Sequence, residues 1–125
     1  MGMLAFGLEE MGDYRRAESA GLKALEADAD DCWAHHAVTH VMEMQGRAAE
    51  GRDFMRKRRA HWAQPENFLK VHNWWHLALF HLELGEPEAA LGLYDEQVRG
   101  EPTTVAQNLV DASALLWRLH LMGVD

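Results

Sequence analysis

The chain holds one cysteine, three prolines and two tyrosines in 125 residues. With Cys32 alone there is no internal disulfide and no Cys-x-x-Cys pair for zinc or redox chemistry. A lone thiol fits a reducing compartment, and a cytoplasmic location is expected. The N-terminal stretch MGMLAFGLEE has no basic leader, so no signal peptide is expected, and Phe6 breaks the myristoylation pattern. No apolar run approaches the roughly 20 residues of a membrane span.

Positive charge is also scarce. Twelve Lys and Arg stand against twenty Asp and Glu, a net charge of −8. That excludes a general binder of nucleic acid or of anionic membranes. The local exception, Arg56-Lys57-Arg58-Arg59, is read as a solvated helix face ahead of a phosphate or RNA patch. Standard catalytic signatures are missing too. The run His36-Ala37-Val38-Thr39-His40 places Ala37 where a zinc protease carries its base. There is no nucleophile elbow and no phosphate-cradling glycine loop, and nothing around Cys32 supports a nucleophilic thiol.

What is present is helical periodicity. Between Pro65, Pro87 and Pro102, apolar residues recur at helical spacing without strand alternation. The chain also repeats itself. MGDYRRAESAGLKAL (11–25), QGRAAEGRDFMRKRR (45–59) and LGEPEAALGLYDEQV (84–98) each carry Gly in second place and a small residue in seventh. Gly12, Gly46, Gly85 and Gly123 stand 34, 39 and 38 residues apart. A period near 34 with two helices per unit predicts an all-α, right-handed solenoid of antiparallel helical hairpins. Glycine at each turn can adopt positive φ, and Ala17, Gly51 and Ala90 let the paired helices approach closely.

These stretches resemble the tetratricopeptide repeat family. HHAVTHVMEMQGR (35–47), HNWWHLALFHLELGEPEAALGLYDEQV (72–98) and LVDASALLWRLHLMGVD (109–125) are similar to its tetratricopeptide repeat protein 38 branch. That resemblance implies a fold more than an activity. Seven helices are expected, near 3–11, 13–28, 31–45, 47–62, 67–84, 87–99 and 103–122. They group into repeats near 1–31, 32–64 and 68–101 with a half-repeat at 103–125. Asp13, Asp31 and Thr103 are the expected N-caps, and Pro87 suits a first helical turn. Both ends look cut, so a piece of a longer repeat protein is expected. Leu115, Leu116, Leu119 and Met122 are expected to stay exposed on the last helix and to drive a homodimer.

Chemistry concentrates in two helices. His40 and Glu43 lie about 40° and 20° from His36 on one helical face. His72 and His76 form a second i, i+4 pair, with Asn73 and Trp75 beside them. As first helices of consecutive repeats, the two should stand side by side, and Asp111 should join from the next. The expected ligand groove is therefore His36, His40, Glu43, His72, Asn73, Trp75, His76 and Asp111. Trp74, Leu77, Ala78 and His81 should turn into the core instead, with Trp33, Trp62 and Trp117 as packing residues.

Three readings of the histidines stay open: a hydrogen-bonded structural network, a groove for a peptide, protein or small ligand, and a metal or acid–base site. A binding scaffold is placed ahead of an enzyme. No cofactor is expected; the alternative is a transition metal on His36, His40, His72 and His76 serving a hydrolase or lyase. Imidazole pairs more than about 12 Å apart would exclude a shared metal site.

Overall fold

A computed structural model describes residues 2–65, 67–98 and 106–123. Among these the chain is all-helical, without strands. The α-helices are α1 (Gly2–Glu10), α2 (Tyr14–Ala27), α3 (Cys32–Met44), α4 (Ala48–Lys57), α5 (Arg59–Trp62), α6 (Lys70–Glu83), α7 (Pro87–Leu93) and α8 (Ala106–Leu121). A π-helical segment, Tyr94–Val98, continues directly from α7.

The turn chemistry follows the glycine spacing. Gly12, Gly46 and Gly85 have φ of 80°, 69° and 73°. At each, the glycine N–H and the next N–H reach back to the ending helix: Gly12 to Glu9 and Asp13 to Leu8, Gly46 to Glu43 and Arg47 to Met42, Gly85 to Leu82 and Glu86 to His81. This is the paired closure of a Schellman turn, and a β-carbon at these φ values would strain it. Asp13 and Asp31 cap α2 and α3 by accepting from the Arg16 and Ala34 N–H groups. Pro87 opens α7. Thr103 lies outside the described residues.

Small residues set the helix approaches. Ala17 and Ala90 are wholly buried, and a β-carbon on Gly51 would come within 2.4 Å of the Phe80 ring. Through these contacts α2 packs on α1 and α3, and α4 and α7 pack on α6. The main core gathers Val38, Met55, Trp62, Trp74, Leu77, Phe80 and Leu115.

Three expectations are corrected. The single helix expected over 47–62 breaks at Arg58. There the Trp62 indole N–H donates to the Met55 carbonyl at 2.8 Å, and the ring packs edge-on against Trp74 with centroids 4.7 Å apart. On α8, Leu115 and Leu119 are buried because that face packs on α6 and the π segment; the exposed apolar residues are Leu109, Val110, Leu116, Trp117, Leu121 and Met122. Trp117 is therefore a surface residue, whereas Trp62 is core.

Candidate metal centre

Helix α6 divides the stretch 71–85 by face. Trp74, Leu77, Ala78 and His81 are buried in the core, as the helical spacing requires. His72, Trp75 and His76 turn toward α3. His36 and His40 point back from α3, so four imidazoles meet in one seam. Ring centroids lie 5.0 Å apart for His36–His72, 5.4 Å for His36–His76, 6.4 Å for His40–His72 and 4.6 Å for His40–His76. The two pairs are thus far inside the 12 Å limit for a shared ion.

One nitrogen from each ring lies within 4.8 Å of the others. Tetrahedral zinc with bonds of about 2.0–2.1 Å needs nitrogens about 3.4 Å apart, so the set would draw in by no more than about 1.4 Å.

Carboxylates stand behind two of the rings. The His72 Nδ1–H donates to Asp111 Oδ2 at 2.9 Å, and the His40 Nδ1–H to Glu9 Oε1 at 3.4 Å. Such bonds fix the tautomer and place the lone pair on Nε2, unpartnered in His40 and taken up by His76 in His72. The His76 Nε2–H donates to His72 Nε2 at 3.0 Å. Flat rings form the walls: Phe6 stacks on His36, and Trp75 on His72 with centroids 5.1 Å apart.

Among the described residues, the centre of the seam is not fully satisfied by protein groups. Both His36 nitrogens, His40 Nε2 and His76 Nδ1 are buried without a hydrogen-bond partner. Each such atom costs on the order of 1–3 kcal/mol. A purely structural histidine network would pair these atoms; a metal site leaves lone pairs converging.

The electrostatics match. Burial, and then His40 and His72, push His36 down to about 3. Burial and His72 lower His40, and burial with the other three rings holds His76 well below its usual range. His36, His40 and His76 are thereby held in the neutral form, the form that ligates. Burial and the Glu83 carboxyl push Glu43 up to about 8, and burial with Glu10 pushes Glu9 up to about 7.

The expected site residues fall out as follows. The structure brings together His36, His40, His72, His76, Trp75 and Asp111. Glu43 stays on the same stripe but turns to Glu83, with its Oε2 unpartnered. Asn73 is wholly buried, and its amide has no partner either. It stands 12 residues before Gly85, as the buried Ala34 stands before Gly46. Sequence reasoning missed Glu9 and Phe6. Glu9 carried a signal, because it precedes Gly12 by three residues as Glu43 precedes Gly46.

No family model matches the chain, and no solved structure is significantly similar to it.

Proposed function

We propose that this protein is a tetratricopeptide-like helical scaffold that holds one divalent first-row transition ion, such as Zn2+, on His36, His40, His72 and His76. The carrying observation is that four imidazoles converge, and that on three of them, His36, His40 and His76, buried nitrogens have no protein partner among the described residues. An all-imidazole set suits zinc, copper, iron or nickel, and neutral ligands with a carboxylate behind two of them offset the ion's charge. The ligands come from α3 and α6, with Glu9 from α1 and Asp111 from α8, so the ion would tie consecutive repeats together. The turn-glycine period and the recurrent Schellman closures support the hairpin-solenoid reading and its likeness to the tetratricopeptide repeat protein 38 branch.

Access is from one side. The His40 and His72 side chains keep 25% and 16% of their exposure, while His36 and His76 are buried. A peptide, protein or small-ligand partner would reach the ion there, beside Trp75.

Metal analysis of protein purified without chelator tests this, together with cobalt substitution. One ion per chain and the strong visible bands of tetrahedral Co2+, both lost in His36→Ala, are expected. A metal-free protein that takes up no cobalt would overturn the reading.

A metal-assisted hydrolase is the second reading, favoured by Glu43, a carboxylic acid held protonated at neutral pH three residues beyond His40. Zinc-dependent turnover of activated esters that Glu43→Gln abolishes would separate it from a scaffold.

A further inference from the structure

The opposite face of α6 carries a different feature. Trp74, Leu77 and His81 point about 150° around the helix from the His72–His76 line. Together with Arg56, Arg59 and Leu93 they line a cleft of about 440 Å³, with Ala89 at its rim. That volume falls within the range of small-molecule sites, roughly 300–1,000 Å³.

The basic run is not the uniform solvated face its composition suggests. Arg58 turns inward, donating to His35 Nε2 at 2.9 Å and to the Ala29 carbonyl. Arg56 donates from Nη2 to His81 Nε2 at 3.1 Å. His81 donates from Nδ1 to Glu86 Oε1 at 3.0 Å, and Glu86 also accepts from Arg52. This relay holds Arg56 at the cleft through a single N–H, and among the described residues its other N–H groups make no hydrogen bond. The Arg59 guanidinium lies 6.0 Å over the Trp74 ring. Among the described residues no carboxylate ion-pairs with Arg56, Lys57, Arg58 or Arg59. In a chain of net charge −8, such an uncompensated group around a cleft is an anion-attracting feature.

We infer that this cleft binds a small phosphomonoester with a flat apolar body. Two arginines three residues apart present N–H forks that match the oxygens of a dianion. Half-buried Leu93 supplies apolar surface for the body, over a floor formed by the edges of the buried Trp74 and Leu77. Lys57, which lines no part of the cleft, adds only diffuse charge.

The test is calorimetric titration of the metal-replete protein with phenyl phosphate, inorganic phosphate and phenol. Phenyl phosphate should bind saturably at one site, phosphate at least tenfold more weakly, and phenol not at all. Arg56→Ala and Arg59→Ala should each weaken phenyl phosphate at least tenfold. Ala89→Trp, at the exposed rim, should block it, and Lys57→Ala should change it less than twofold. Helical circular dichroism and metal content should be unchanged in all four variants. Absence of saturable binding would overturn the inference. So would equal losses in Lys57→Ala and Arg59→Ala, or an Ala89→Trp variant that binds as before, since either result means a diffuse basic surface.

Discussion

His76 and His81 stand five residues apart on α6 and are both buried, yet their surroundings differ in kind. His81 has a partner on each nitrogen, Glu86 on one side and Arg56 on the other. Among the described residues His76 hydrogen-bonds only to another imidazole, and its Nδ1 has no partner. The first is how a protein keeps a buried histidine for structure: one nitrogen donates, the other accepts. The second leaves polar groups unpaid for by the fold and makes sense when an external ion completes them. Burial alone therefore does not distinguish a structural histidine from a ligand; the count of satisfied nitrogens does.

The largest expected effect separates the two directly. Free metal at about a thousandfold over its dissociation constant stabilises a site that only the folded chain offers by about 4 kcal/mol. Melting with and without chelator should show that shift in the unmodified protein and in His81→Gln, and lose it in His76→Ala. Loss of the shift in His81→Gln would collapse the distinction between the two faces.

A third face of α6 provides a control. Gly51→Ala forces a β-carbon against the Phe80 ring and should cost about 1–3 kcal/mol by denaturant unfolding. Metal stoichiometry should stay unchanged, because the clash lies among α4 and α6 core residues and not in the α3–α6 seam.

Asp111→Asn sharpens the carboxylate–imidazole argument. Losing the charged acceptor behind His72 should weaken metal affinity about 10–100-fold in a competition titration, while phenyl phosphate binding stays within twofold. An unaffected affinity would mean that Asp111 serves packing alone.

The smallest effect is in pH dependence. Glu43 is raised from 4.5 to about 8, so the stability it allows is complete below pH 4.5 and is lost as pH rises through 8. Glu43→Gln should thus gain on the order of 1 kcal/mol over the unmodified chain at pH 9 and nothing at pH 4. His36 has the opposite sign. Its lowered value means that chelated protein loses stability as pH falls from 6.5 toward 3, where the unfolded chain takes a proton and the folded one does not. Urea midpoints across pH 4–9 check both.

Much of this was legible from local pattern. Periodic apolar residues and the turn glycines prescribe helices and their reversals, because both depend on interactions within a few residues. The i, i+4 pairs His36–His40 and His72–His76 likewise have to share faces once helices form. The division of 71–85 into a Trp74 side and a Trp75 side follows from the same rotation. Tertiary structure alone decided the rest. The break at Arg58 depends on Trp62 reaching the Met55 carbonyl, and the burial of Leu115 and Leu119 depends on where α8 docks. The Arg56–His81–Glu86 relay spans three helical segments, and Glu9 meets His40 only because α1 packs on α3. Whether four histidines form one centre depends on distances between helices, which periodicity does not encode. Packing of α1, α3, α6 and α8 sets those distances, and it also decides which imidazole nitrogens find partners and which do not.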